Sequence, residues 1–152
     1  MGISGGGLYC FSVLILRHKE FRNYLSLRLS KVSKLILFLF FRPLECLQIS
    51  CKSIGRGLYI QHGIGTIIAA SSIGENCWIN QNVTIGYNVD DDKTPVIGNN
   101  VEIKAGAVIA GNIRIGDNVL IGANAVVVKD IPDNTMAFGF PLVIKPNKHI
   151  RK

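Results

Sequence analysis

The chain has 152 residues, 48% of them hydrophobic, with a net charge of +7. That is enough apolar material for a packed core, and it excludes an intrinsically disordered chain. The charge is uneven: residues 1–53 hold eight Lys/Arg against Glu20 and Glu45, residues 54–144 hold five against eight Asp/Glu, and the tail from Lys145 is basic again. Basic ends on a mildly acidic body suit an anionic surface or ligand.

Residues 1–46 read as a helical amino-terminal segment. Phe21, Leu25, Leu29, Val32, Ile36 and Leu39 recur at three- and four-residue steps, which lines up one apolar helical face, and Pro43 ends the pattern. Packing on the rest of the fold or on a neighbouring subunit is the first use of such a face. The apolar run Leu35 to Phe41, set among Arg and Lys, supports a second: residues 13–41 as an interfacial helix in peripheral contact with a membrane. The run is too short to span a bilayer.

From residue 54 a six-residue period takes over. Ile54, Ile60, Ile67, Ile73, Ile79 and Ile85 head one series, and Ile97, Ile103, Ile109, Ile115, Ile121 and Val127 a second. The fifth position of each hexad is small or aliphatic: Leu58, Ile64, Cys77, Val83, Val101, Ala107, Ile113, Val119, Ala125 and Ile131. Asn76, Asn80, Asn82, Asn100, Asn112, Asn118 and Asn124 fall where the chain must turn in left-handed backbone geometry. Head and fifth residues facing inward, with three hexads to a triangular coil, predict an all-β fold: a left-handed parallel β-helix, its coils stacked on a continuous aliphatic column. The β-helix domain is placed at residues 47–144, interrupted by a polar loop at 87–96, and followed by a basic tail at 145–152. Asp130-Ile131-Pro132-Asp133-Asn134 reads as the turn that stops the repeat.

Few residues offer chemistry. Of three histidines, only His62 lies in the repeat, at an outward position with Gly63 and Gly65 close by. It suits a general base near neutral pH; a surface histidine making one hydrogen bond is the alternative on position alone. The Asp90-Asp91-Asp92 run lacks the spaced ligands of a calcium loop. The four cysteines form no CxxC pair, and with only His62 in the repeat even three chains would give one histidine ligand each, so no metal is expected. Cys77 reads as a buried hydrophobe, and free cysteines suit a reducing, cytoplasmic compartment. Basic stretches without interleaved aromatics set aside a nucleic-acid partner.

Four stretches in order, Ile54-Gly55-Arg56-Gly57-Leu58-Tyr59-Ile60-Gln61-His62-Gly63-Ile64-Gly65, Gln81-Asn82-Val83-Thr84-Ile85-Gly86, Ile103-Lys104-Ala105-Gly106-Ala107-Val108 and Ile121-Gly122-Ala123-Asn124-Ala125-Val126-Val127, closed by Gly139-Phe140-Pro141, resemble the hexapeptide-repeat acyltransferases of the serine-acetyltransferase-like branch. The resemblance covers about residues 47–144. It implies acetyl transfer from acetyl-CoA to a hydroxyl, a homotrimer with active sites between adjacent columns, and His62 as the catalytic base. It places Gly86, Ala105, Gly106, Ala123 and Lys129 along the coenzyme, and Gln61, Thr94 and Asp92 at the acceptor. The chain also departs from that branch: Thr94 stands before Pro95 where serine acetyltransferases carry a second histidine, Leu47 where they carry an aspartate that orients the first, and Gln61 where Asp is frequent. The acyl-CoA half of the site is thus kept and the amino-acid half altered, which resembles the short members that acetylate sugars in surface-polysaccharide synthesis. The expected function is O-acetylation of a sugar hydroxyl in the cytoplasm, at the inner face of the membrane if residues 13–41 touch lipid. The alternatives are a serine O-acetyltransferase of cysteine synthesis and a non-catalytic β-helix.

Overall fold

The computed structural model describes residues 15, 21–23, 25, 29–30, 33, 46–87 and 93–148. The amino-terminal segment therefore lies mostly outside the described residues, as do Asp90, Asp91, Asp92 and His149. Ile15, Phe21, Arg22, Asn23, Leu25 and Ser33 are helical, and Asn23 Nδ2 donates to the Leu47 carbonyl at 3.0 Å, tying this segment to the first coil. Among the described residues no helix is long and apolar enough to cross a membrane.

The remainder is a parallel β-helix of roughly five coils. β1 (Leu47–Ile54) and β3 (Thr66–Ile73) each pass a corner, so each contributes to two faces of the prism. The first face stacks the front half of β3 on β5 (Thr84–Gly86), β8 (Val108–Ala110) and β11 (Val126–Val127). The second stacks its rear half on β6 (Val96–Ile97) and β9 (Arg114–Ile115), with Ile131 bridging Ile115. The third stacks β2 (Tyr59–Ile60), β4 (Trp78–Ile79), β7 (Glu102–Ile103), β10 (Leu120–Ile121) and β12 (Thr135–Phe138). β13 (Val143–Pro146) folds back antiparallel on β12, taking Lys145 and Pro146 into the sheet.

One aliphatic residue per coil points inward on each face. The three columns are Ile68-Ile85-Ile109-Val127, Ile73-Ile97-Ile115-Ile131 and Ile60-Ile79-Ile103-Ile121-Ala137, all buried. Full burial of one such side chain is worth about 1.5–3 kcal/mol, and only stacking achieves it, since each coil roofs the next. At the corner between the second and third faces the amides of Asn76, Asn100, Asn118 and Asn134 form a ladder, each Nδ2 donating to the next Oδ1 at 3.4, 3.1 and 2.9 Å. All four have positive φ, which asparagine tolerates better than most residues.

The structure corrects the repeat in three places. Ile67 is 44% exposed and Ile68 takes the core position, with Thr66 rather than Ile64 filling the preceding inward slot. The cause is an eight-residue step from Ile60 to Ile68 around His62, fixed by the pairing of Ile68 with Ile85. Asn80 and Asn112 do not occupy left-handed corners; His62 (φ 54°) and Gly111 (φ 106°) do. Residues 130–134 do not stop the coil, because Ile131 continues the second column, Asn134 the ladder, and β12 adds a further strand to the third face.

Candidate active site

His62 stands at the corner between the third and first faces, where the chain leaves β2 and enters β3. The widened eight-residue step lifts its side chain into solvent, and its carbonyl accepts from Ile64 N–H to close the turn. Gln61 Nε2 lies 3.5 Å from His62 Nε2. Trp78, one coil further on, donates from Nε1 to Gln61 Oε1 at 3.2 Å. Trp78 is itself braced by the Tyr59 ring in an edge-on contact (centroids 5.5 Å apart) and by Lys104 Nζ, 4.7 Å from its ring centre. Lys104 also pairs with Glu102 at 2.7 Å.

The same corner carries three of the residues expected along the coenzyme. The Gly106 amide donates to the Gln81 carbonyl and the Asn124 amide to the Ala105 carbonyl, so Gln81, Ala105 and Ala123 succeed one another along the edge that His62 begins. The small side chains of Ala105 and Ala123 leave their part of that edge open to a thin ligand. Gly106 has a further reason to be glycine: its φ is +71° and a Cβ there would run into Asn124 Oδ1. Asn80 Oδ1 and Gln81 Oε1, also at this corner, are buried without a hydrogen-bond partner.

Gly86, Lys129 and Thr94 lie on the other edge of the first face. A Cβ on Gly86 would meet nothing within 4 Å, and Lys129 is exposed. Ser71 Oγ and Thr94 Oγ1 are 2.9 Å apart, and Ser71 Oγ also lies 2.9 Å from the Thr94 carbonyl, so Thr94 anchors the base of the loop. Asp92 lies outside the described residues. Leu47 is buried in the first coil and supplies no polar group to His62. Within one chain, then, His62, Gln61, Ala105, Gly106 and Ala123 share an edge, and Gly86, Thr94 and Lys129 share the next. Trp78 and Tyr59 were missed by sequence reasoning; the signal available was the single tryptophan of the chain, at an outward position of the repeat.

Among the described residues no cluster of His, Cys, Asp and Glu is arranged to hold a metal. Burial pushes the Cys77 thiol above its ordinary range, and Cys51 likewise. Cys77 packs in the core with Sγ 3.2 Å from the Gly98 carbonyl.

Residues 94–129 match the family model "Bacterial transferase hexapeptide (six repeats)". A serine acetyltransferase of Helicobacter pylori is 35% identical over 135 residues, covering 87% of this chain and 75% of that protein. The serine acetyltransferase of Bacillus pumilus is 31% identical over 105 residues, and the chain spans about half of its length (48%). Among solved structures, Neisseria gonorrhoeae serine acetyltransferase in complex with serine superposes with a TM-score of 0.68 at 31% identity, over 89% of this chain and 60% of that one. A serine acetyltransferase in complex with CoA superposes at 0.59 and 29% identity, over 86% and 55%. The chain belongs to the serine acetyltransferase family of hexapeptide-repeat transferases.

Proposed function

We propose that the chain is an acetyl-CoA-dependent O-acetyltransferase. The observation that carries this is the solvent-facing imidazole of His62 at the head of an edge whose next coils present Ala105, Gly106 and Ala123. His62 takes the proton of an acceptor hydroxyl, the oxygen bonds to the acetyl carbonyl carbon, and the carbon–sulfur bond breaks. The leaving thiolate then collects the proton from the imidazolium. A base so placed contributes about 10²- to 10⁴-fold, and backbone N–H groups along the edge would steady the oxyanion. The relative held with CoA supports acetyl-CoA as co-substrate, with Gly86, Ala105, Gly106 and Ala123 along its arm and Lys129 toward its phosphates.

For the acceptor, the relatives speak for L-serine, since they are named serine acetyltransferases and one is bound to serine. A second reading, a sugar hydroxyl of a surface polysaccharide, is favoured by particular residues: Leu47 is buried, Gln61 is an amide, and the Thr94 hydroxyl is tied to Ser71. Two edges of one face carrying the two halves of the site support a homotrimer in which neighbouring copies complete each other. The proposed co-substrate and the free thiols Cys46, Cys51 and Cys77 support a cytoplasmic location. The test is thiol release from acetyl-CoA with L-serine and with sugars in parallel. Release with either establishes acetyl transfer and names its acceptor; silence with both, in protein that fails to bind CoA, removes the enzyme reading.

A further inference from the structure

We propose that Tyr59, Gln61 and Trp78 form an acceptor subsite beside His62, and that it takes a neutral hydroxyl-bearing ring of the hexopyranose kind. The inference rests on the acetyl-transfer reading and decides between its two acceptors.

The argument starts from donors and acceptors. The indole Nε1–H of Trp78 can only donate, so the Gln61 atom facing it at 3.2 Å is the carbonyl oxygen Oε1. The other end of that amide, Nε2, is then the end turned to His62 Nε2 at 3.5 Å. An amide NH₂ also only donates, so the tautomer that accepts from it has its lone pair on His62 Nε2 and its ring proton on Nδ1. An acceptor hydroxyl entering beside this pair takes over their contact: its O–H points at His62 Nε2, and its oxygen accepts from Gln61 Nε2. This is the polarity the reaction needs, with the proton leaving toward the imidazole while the oxygen stays held for attack. Trp78 does not touch the reacting atoms in this arrangement. It is a positioning residue that keeps Gln61 from turning its oxygen toward the histidine.

The surroundings set the class of ligand. A carboxylate at position 61 would favour an ammonium group, and an amide does not. Among the described residues the two charges on this strip, Lys104 and Glu102, pair with each other at 2.7 Å, and Lys104 also lies over Trp78. What remains is an aromatic wall, Tyr59 (48% exposed) set edge-on to Trp78, beside a neutral hydrogen-bonding amide. The C–H face of a sugar ring packs on such a wall while its hydroxyls meet the amide. Free serine offers no apolar face and brings two charges that the strip does not complement.

Trp78 is the single tryptophan of the chain, so its emission reports on this subsite directly. The experiment titrates the full chain, with CoA present, with methyl hexopyranosides and separately with L-serine, and follows Trp78 emission and thiol release from acetyl-CoA. Glycosides are expected to change the emission saturably. The Trp78→Phe variant, which keeps an aromatic ring but loses the N–H, should raise KM for the glycoside about tenfold with KM for acetyl-CoA unchanged. Gln61→Asp should shift the ratio of kcat/KM toward serine. If L-serine alone changes the emission and is turned over by the wild type, the subsite reading falls and acetyl transfer stands. If glycosides change the emission but no acceptor releases thiol and CoA does not bind, the subsite stands and acetyl transfer falls.

Discussion

Gly86 and Gly106 both stand where a coenzyme arm was expected, yet the backbone gives them different work, and an alanine at each separates the two roles. At Gly106 the φ of +71° puts any L-residue in the left-handed region, which costs about 1–2 kcal/mol. The new Cβ would also run into Asn124 Oδ1, an exposed amide that must turn away. Together these predict a loss of roughly 2–3 kcal/mol for Gly106→Ala, and a fall in Tm of about 4–12 °C at 2–4 °C per kcal/mol for a chain of this size. At Gly86 an added Cβ meets nothing within 4 Å, so Gly86→Ala should leave Tm within about 1–2 °C of wild type and act, if at all, on KM for acetyl-CoA. The assay is thermal unfolding by circular dichroism beside acetyl-CoA kinetics on both variants. Equal Tm losses at the two positions would refute the reasoning, as would a Gly106→Ala protein as stable as wild type.

Three further outcomes follow from the same geometry. His62→Asn keeps a residue suited to the left-handed corner and removes the base, so turnover should fall about 10²- to 10⁴-fold with the circular dichroism spectrum unchanged; full turnover would show that another group accepts the proton. Ile103→Ala opens the third column between Ile79 and Ile121, where the side chain is fully buried, and should cost about 2–5 kcal/mol in denaturant unfolding. Cys77, with its thiol pushed up by burial, should resist a thiol reagent in native protein while exposed Cys46 reacts. Because the raised thiol binds its proton more tightly folded than unfolded, stability should decline as pH rises above the ordinary thiol range, and Cys77→Val should flatten part of that decline.

The six-residue period made the solenoid legible because a stacked column leaves one aliphatic mark per turn of the pattern. It failed where the pattern was degenerate. Ile67 and Ile68 are equal in hydropathy, and only the ladder, with Ile67 N–H bonded to the Val83 carbonyl, decides which one faces in. Asparagine identity alone does not separate Asn76, in a left-handed corner, from Asn80, outside one. His62 was legible through its neighbours in the chain. The Trp78 to Gln61 bond was not, since it joins residues 17 apart whose approach depends on the eight-residue step between Ile60 and Ile68.

The irregular steps bear on the proposal that neighbouring copies complete the site. The stacking positions along the third face, Ile60, Ile79, Ile103, Ile121 and Ala137, are 19, 24, 18 and 16 residues apart. The extra residues of the first two steps fall at the two corners bounding the first face: around His62 at one, and around residues 87–96 at the other. Between them runs an outer strip that includes Ile67, Val108 and Val126, paired in register through Thr84. Groups on opposite edges of one face cannot both close on a single acetyl group, but edges of two copies packed side by side can. Co-expressing His62→Asn with Gly86→Phe, each inactive alone, should then recover about a quarter of wild-type activity, because random pairing of equal amounts unites an intact edge from each copy in one interface of four. Recovery near zero from well-folded, co-purified chains would place the whole site within one column and end the case for a shared one.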